Sequence, residues 1–213
     1  MISVILLMAG SGSRMKIQDN KVFLPLENKM IFQYSLDLFL KLNCEVICVI
    51  RPEDEDKLHH YYSKIKIVYG GQTRQMSVYN GLKQASCNSV LIHDAARPFI
   101  SEELIKECIK TLNEKNAVLV GCKTKDSIYE IEPLKSLNRE KLFNAQTPQG
   151  ASRTILLKCH EKALNENIQV TDDISLILKY TDTFVKLIDG TDCNFKITTQ
   201  LDYILAKEMI KND

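Results

Sequence analysis

Two glycines, an arginine and a lysine near the start of the chain carry its first sign of chemistry. Gly10-Ser11-Gly12-Ser13-Arg14 follows the uncharged run Ile2 to Met8 with only Ala9 between, and Lys21 comes one short loop later. Glycines admit backbone angles that other residues avoid, and they let main-chain N–H groups come close to an anion. Arg14 adds a rigid fork of donors and Lys21 a mobile point charge. The guest that suits such a loop is a polyphosphate. The usual phosphate loops fit poorly, because the third glycine of the dinucleotide fingerprint is missing and no Gly-Lys-Ser/Thr triplet follows. A short Gly-x-Gly also serves as a plain tight turn. Its place behind a buried strand, with two cations after it, favours a binding loop.

Further along, Gly70-Gly71-Gln72-Thr73-Arg74 with Ser77 follows a short apolar run. It reads either as a capped surface turn or as a loop whose small residues let a flat base lie against the backbone. His93-Asp94-Ala95-Ala96-Arg97-Pro98-Phe99 ends another apolar run. An acid and an arginine at the end of a central strand are costly unless used or paired. Asp94 suits a sugar hydroxyl or a hydrated Mg²⁺, and Arg97 suits pairing with it or ordering the loop. His93, with no nucleophile beside it in the sequence, reads as a structural hydrogen bonder rather than a base. Ser127, Arg139 and Thr147 read as parts of an anion site. Lys196, set among apolar neighbours in Asn194-Phe195-Lys196-Ile197-Thr198, either snorkels or reaches phosphate.

The elements that must hold these residues follow from periodicity. Ile2 to Met8 reads as a strand buried on both faces, residues 31–42 as a helix, 45–50 as a strand, 53–62 as a polar helix and 65–69 as a strand. Strands at 89–92 and 117–122 follow, with a helix opening at Ser101 between them. Helices at 150–166 and from Thr171, its candidate cap, lead to strands at 184–188 and 194–198 and a last helix over 200–211. Alternating strands and helices imply an α/β fold with a parallel sheet covered on both sides, whose ligands lie beyond the carboxyl ends of the strands. Periodicity weakens over 123–147, a stretch too long for an ordinary loop. With Ile128, Ile131 and Leu134 needing cover, it reads as an arm packing on a second subunit, disorder being the competing reading.

The whole chain bounds the partners. At 213 residues it suits one domain, 1–213, with 124–147 as an excursion. Twenty-eight basic and 27 acidic residues leave a net charge of +1, no general field for nucleic acid or membrane. No apolar run approaches the roughly 18 residues of a membrane span, and the start lacks a leader pattern, so a cytoplasmic protein is expected. Seven scattered cysteines read as small hydrophobes in a reducing compartment, with neither disulfides nor zinc. His59 and His60 fall on a charged helix and read as solvated.

Taken together, these segments resemble the bacterial 2-C-methyl-D-erythritol 4-phosphate cytidylyltransferases. The resemblance rests on Met8 to Arg14 with Lys21, Gly70 to Arg74 with Ser77, His93 to Phe99, Gln146-Thr147-Pro148-Gln149, Thr171-Asp172-Asp173 and Asn194 to Thr199, in family order along nearly the whole chain. It implies a Rossmann-like nucleotide-binding domain with a mostly parallel twisted sheet, helices on both faces and a short protruding dimerisation arm. It also implies CTP as substrate, Mg²⁺ as cofactor and a homodimer. Gly10, Gly12, Arg14 and Lys21 would hold the CTP phosphates, Ala9, Gly71 and Ser77 would contact the base, and Arg74 would belong to the same CTP site. Asp94, Ala95 and Arg97 would form the ribose and metal side. Ser127, Arg139 and Thr147 fall where the family binds the sugar phosphate, Ser127 and Arg139 reaching a neighbour's CTP site. Arg14, Lys21 and Lys196 would be catalytic.

Four departures stand out. Met8 replaces a frequent alanine, Val22-Phe23 replace glutamine and an aromatic, Ser127 replaces threonine, and the arm is short. That shortness keeps the ribitol 5-phosphate cytidylyltransferases in play, although their central motif more often reads His-Asp-Ser-Val-Arg where this chain has Ala95 and Ala96. A non-catalytic nucleotide-binding protein is the alternative from another class. The cations at 14, 21 and 196 together with Asp94 argue against it, and the incomplete glycine fingerprint argues against a dinucleotide oxidoreductase.

Overall fold

The computed structural model describes residues 1–10 and 19–211. Its strands and helices, in chain order, are β1 (Ser3–Leu7), β2 (Pro25–Leu26), β3 (Lys29–Met30), α1 (Ile31–Lys41), β4 (Glu45–Ile50), β5 (Ile65–Tyr69), α2 (Arg74–Gln84) and β6 (Ser89–Asp94). There follow α3 (Glu102–Asn113), β7 (Ala117–Lys123), β8 (Tyr129–Glu130), β9 (Lys135–Ser136), β10 (Phe143–Ser152), α4 (Arg153–Asn165), α5 (Ile174–Tyr180), β11 (Val185–Asp189) and α6 (Gln200–Lys211).

Seven strands form one sheet in the order β11-β7-β10-β6-β1-β4-β5. β1 runs parallel to β4 and β6, β4 to β5, and β7 to β11, while β10 is antiparallel to both its neighbours. Alternation along β1 feeds both faces. Val4 and Leu6 pack with Phe32, Leu36 and Phe39 of α1 and Ile105 of α3, and Ile5 packs with Val78 and Leu82 of α2 and Leu156 of α4. A strand buried on both sides needs that continuous apolar run. The mostly parallel sheet with helices on both faces is therefore the expected one. Side-chain caps start three of the helices: Thr73 Oγ1 accepts from the Met76 amide at 3.1 Å, Ser101 Oγ from Leu104 at 3.2 Å and Ser152 Oγ from Ile155 at 3.2 Å.

Several boundaries differ from the sequence reading. The helix expected from 150 begins at Arg153, because Gln149 to Ser152 pair with β6 in the register Gln149↔Ile92 and Gly150↔Leu91. Gly150 is required there, since a Cβ would stand 2.3 Å from the Val90 carbonyl oxygen. The same strand takes the end of the expected 124–147 excursion into the sheet, with Phe143, Asn144 and Ala145 paired to Lys123, Cys122 and Gly121. What leaves the sheet is 124–142, carrying the β8–β9 hairpin with Tyr129, Ile131 and Leu134 exposed.

Residues 194–198 are not a strand. A 3₁₀ turn over Asp192–Asn194 leads into an extended segment that meets its neighbour through one main-chain bond, Ile197 N–H to the Ala96 carbonyl at 2.8 Å. Pro52–Tyr61, expected as an α-helix, is 3₁₀. Asp172 rather than Thr171 caps the start of α5, its Oδ1 accepting from the Ser175 amide at 2.8 Å. Cys44, Cys48, Cys108 and Cys159 are buried as expected, whereas Cys193 is exposed. Among the described residues, no helix is long and apolar enough to cross a membrane.

Candidate active site

The carboxyl ends of β1, β5 and β6 point to one edge of the sheet, so the segments that follow them meet. They enclose a cleft of about 360 Å³. Ala9, Gly10 and Lys21 come to it from the segment after β1, Gly71, Arg74 and Ser77 from the segment after β5 and the start of α2, Asp94 from the tip of β6 and Lys196 from the segment before α6. Gly12 and Arg14 lie outside the described residues.

Asp94 is the electrostatic centre. Lys196 Nζ stands 2.9 Å from its Oδ2, Arg97 Nε 3.8 Å from the same oxygen, and Arg74 Nε 3.7 Å from Oδ1. Burial alone would raise a carboxyl pKa. Here Lys196 and Arg74, with Arg97 behind them, reverse that and hold Asp94 far below the usual carboxylate range. Arg74 is shared, its Nη2 reaching Asp173 Oδ2 at 2.8 Å. Burial works against its charge, but the two carboxylates beside it raise its pKa further. Arg74, Arg97 and Lys196 thus gather around Asp94, which stands at the strand ends on the wall of the cleft that Lys21 also lines.

Lys21 is held by the turn that carries it. Asn20, 1 % exposed, donates from Nδ2 to the Met8 carbonyl at the end of β1 and to Asp54 Oδ2 at 3.0 Å, while its Oδ1 accepts from the Val22 amide at 3.4 Å. Asp54, fully buried, also takes Arg51 at 2.7 Å and Lys57 at 3.1 Å. Asp202, near enough to Lys21 to feel its charge, accepts from the Thr198 and Thr199 amides at 2.8 and 2.7 Å. Burial is outweighed there by those amides, with Lys21 contributing, so Asp202 stays ionised below its usual range. Neither Asn20 nor Asp54 stands out in the sequence. Their only signal is an Asn one position before a candidate lysine.

On the other wall, Gly71 leaves no room for a Cβ, which would stand 2.4 Å from the Met76 Cβ. Its N–H donates to Ser77 Oγ at 3.1 Å, and that hydroxyl donates in turn to the Thr73 carbonyl at 3.0 Å. Ser77 thus shapes the loop and keeps one lone pair for a ligand. Asn194, 1 % exposed, donates to Gln146 Oε1 at 3.1 Å and to the Thr147 carbonyl at 2.9 Å. Its own carbonyl accepts from Arg97 Nη1 at 2.8 Å, which fixes the approach to Lys196.

Some expected site residues lie elsewhere. Ala95 is fully buried, its N–H bound to the Leu7 carbonyl at 3.1 Å, and Ala96 lines the cleft instead. Arg97 stands behind Asp94 rather than in the cleft wall. Ser127 and Arg139 are exposed on the 124–142 excursion, outside the cleft lining, with Arg139 Nη1 donating to the Lys125 carbonyl at 3.0 Å. Thr147 is 4 % exposed and sits under Asp94, not among the excursion's residues. His93 Nε2 faces the Arg97 carbonyl at 3.1 Å, an oxygen that can only accept, so Nε2 carries the proton of the neutral ring. Nδ1 then accepts from Thr147 Oγ1 at 3.1 Å, and Oγ1 accepts from the Asp94 amide at 3.1 Å. Both the proton and an acceptor site of Thr147 are used in holding the end of β6.

That network has a consequence for stability. Burial pushes the His93 pKa down to about 4, so the folded ring stays neutral while the unfolded one gains a proton below its ordinary pKa of about 6.5. The unfolded state binds more protons in that window, and stability therefore falls as pH falls from about 6.5 towards 4. Between pH 7 and 5 the loss should be about 2 kcal/mol for this one group. Denaturant unfolding at the two pH values checks it: His93→Gln, which keeps a donor and an acceptor but does not titrate, should lose distinctly less than the wild type.

The comparisons with known proteins agree with this geometry. The family model for 2-C-methyl-D-erythritol 4-phosphate cytidylyltransferase, IspD, matches residues 2–212. The chain belongs to that family. A relative of the same name from Clostridium botulinum (strain Loch Maree / Type A3) is 40 % identical over 224 residues, covering 98 % of this chain and 97 % of the relative. Another, from Clostridioides difficile (strain 630), is 36 % identical and covers 99 % of this chain and 94 % of its own. The crystal structure of 4-diphosphocytidyl-2C-methyl-D-erythritol synthase from Anaerococcus prevotii DSM 20548 superposes with a TM-score of 0.87 at 34 % identity, over 99 % of this chain and 98 % of the other. As an IspD member the chain is a CTP-dependent cytidylyltransferase, and its Rossmann-like fold is that of the IspD structures.

Proposed function

We propose that this chain transfers CMP from CTP to 2-C-methyl-D-erythritol 4-phosphate, with Lys21, Lys196 and Arg14 as the groups that make the transfer possible. A phosphate oxygen of the acceptor attacks the α-phosphorus of CTP. A new P–O bond forms there, the bond from that phosphorus to the β-phosphate oxygen breaks, and pyrophosphate leaves. Both reactants are anions, so offsetting their repulsion comes first and stabilising charge on the phosphoryl oxygens second. No general base is required, because a phosphate monoester is already largely ionised near neutral pH. The observation that carries the reading is the cluster at the strand ends, in which Asp94 is ringed by Lys196, Arg74 and Arg97 in a cleft that Lys21 also lines.

Within it, Ala9, Gly10, Gly71 and Ser77 offer a close backbone surface for the cytosine and the phosphates, and Asp94 suits the ribose. Gly12 and Arg14 are assigned to the phosphates by family position alone. Mg²⁺ fits only in a limited way. No group of three or more metal-ligating side chains stands together among the described residues, and Asp94 already has three cations around it. That donor set suits a cation held mainly by the triphosphate and water, with Asp94 as a contact through water. When bound in this way Mg²⁺ neutralises triphosphate charge.

The exposed apolar residues Tyr129, Ile131 and Leu134 on the 124–142 excursion support a homodimer in which this arm packs on a second subunit, placing Ser127 and Arg139 at the neighbour's acceptor site. Cys44, Cys48, Cys108 and Cys159, packed in the core as free thiols, support a reducing compartment such as the cytoplasm.

The test is pyrophosphate release from CTP and Mg²⁺ with methylerythritol 4-phosphate or ribitol 5-phosphate as acceptor. Release that depends on the first and is at least about tenfold faster than with the second is expected. Equal or preferred use of ribitol 5-phosphate would move the chain's substrate to the sister family, and no acceptor-dependent release would remove the catalytic reading. In the same assay Arg139→Ala should raise KM for the sugar phosphate with KM for CTP nearly unchanged.

A further inference from the structure

Arg74 cannot hold its place in the cleft by its bond to Asp94 alone, since that contact is long at 3.7 Å. Its short contact lies in the opposite direction, from Nη2 to Asp173 Oδ2 at 2.8 Å. Asp173 is 1 % exposed and forms no part of the cleft wall. It is itself fixed on several sides. Its N–H donates to Gln149 Oε1 at 3.0 Å, the same oxygen accepts from the Ile174 amide at 3.3 Å, and Gln149 belongs to β10 next to β6. His160 of α4, fully buried, stands with Nε2 3.4 Å from Asp173 Oδ1. The capping bond at the start of α5 is made by Asp172, so Asp173 is not needed for that purpose.

A buried carboxylate is costly, and nothing in the packing of α5 requires one. We propose that Asp173 is a positioning residue for CTP binding: it anchors one end of the Arg74 guanidinium so that the other end faces Asp94 and the cleft. The inference rests on reading that cleft as the CTP site. With Asp173 in place, Arg74 is divided between two carboxylates and Asp94 remains the principal partner of Lys196, at 2.9 Å. Without the Asp173 charge, Arg74 swings onto Asp94, competes with Lys196 and narrows the space in which the nucleotide sits. The fork of a guanidinium spans two carboxylates in this way, and an ammonium does not.

The test is a double-mutant cycle of Asp173→Asn and Arg74→Lys, read as KM for CTP and kcat separately, with thermal unfolding followed on the same samples. Asp173→Asn should raise KM for CTP about tenfold with kcat within about threefold, the pattern of lost ground-state positioning. In the Arg74→Lys background, where the bridge is already broken, the same change should add less than about twofold to KM. A purely structural Asp173 would lower the melting temperature equally in both backgrounds and leave KM for CTP unmoved, and that result overturns the proposal. An equal KM increase in both backgrounds overturns it too. Should Asp173→Asn not fold, Asp173→Ser, which removes the same charge with a smaller side chain, takes its place in the cycle, and a normal KM for CTP in that variant contradicts the proposal. Wild-type enzyme that releases no pyrophosphate from CTP would instead refute the reading of the cleft itself.

Discussion

Lys21→Ala should lower kcat by roughly 10²-fold or more, the usual scale for removing one preorganised electrostatic partner of a transition state. Lys21 is not a loose surface charge. It is 9 % exposed, lines the cleft and sits on a turn that Asn20 bolts to the end of β1 and to Asp54. Because that scaffold is formed by Asn20 and the main chain, truncating the lysine removes the charge and leaves the turn in place. The effect should therefore appear in kcat more than in folding. Steady-state pyrophosphate release with both substrates saturating measures it, and turnover within about threefold of the wild type would exclude Lys21 from the chemistry.

Lys196→Ala should be comparably damaging, again by about 10²-fold in kcat, but for two combined reasons. The ammonium is a candidate bridge between the two anionic reactants, and it is also the nearest cation to Asp94, at 2.9 Å against 3.7 and 3.8 Å for the two arginines. Removing it leaves a buried carboxylate with only distant partners, next to where phosphates would lie. Repulsion then adds to the lost stabilisation, so KM for CTP should rise as well, which Lys21→Ala does not require. Separate titrations of CTP and acceptor distinguish the two variants, and an unchanged KM for CTP in Lys196→Ala would show that Asp94 does not depend on it.

The elements that brought these lysines together differ in how plainly the sequence declares them. β1, β4 and β6 carry runs such as Val46-Ile47-Cys48-Val49-Ile50 that are buried on both faces, and their apolar composition leaves little alternative. The loops after β1, β5 and β6 were legible for the opposite reason, since glycine and charge at the ends of buried strands have few other uses. β10 was not legible, because Phe143 to Ser152 holds Gln146, Thr147, Pro148 and Gln149 where a buried strand would ordinarily be apolar. Those residues are buried to make hydrogen bonds: Gln146 to the Thr191 carbonyl, Thr147 to His93 and Asp94, Gln149 to the start of α5. Hydrophobic patterning is blind to a strand of that kind.

The reverse error occurs at Asn194 to Thr198, whose alternation suggests a strand although only one ladder-like bond is made. Position in the tertiary fold, not local pattern, decides both cases. Asp172 and Asp173 show the limit at single residues. Two adjacent acids look alike in sequence, yet one caps a helix at the surface and the other is a buried anchor for an arginine 99 positions away.

The roles of Lys21, Lys196 and Arg74 all depend on the cleft at the strand ends being the place where CTP binds. A crystal structure of the protein with CTP and Mg²⁺ tests this most directly. The triphosphate should lie in the cleft with Lys21 and Arg14 on its phosphates and the cytosine against Gly71 and Ser77. A triphosphate bound elsewhere, or one lying in the cleft with both cations turned away from it, would contradict the account.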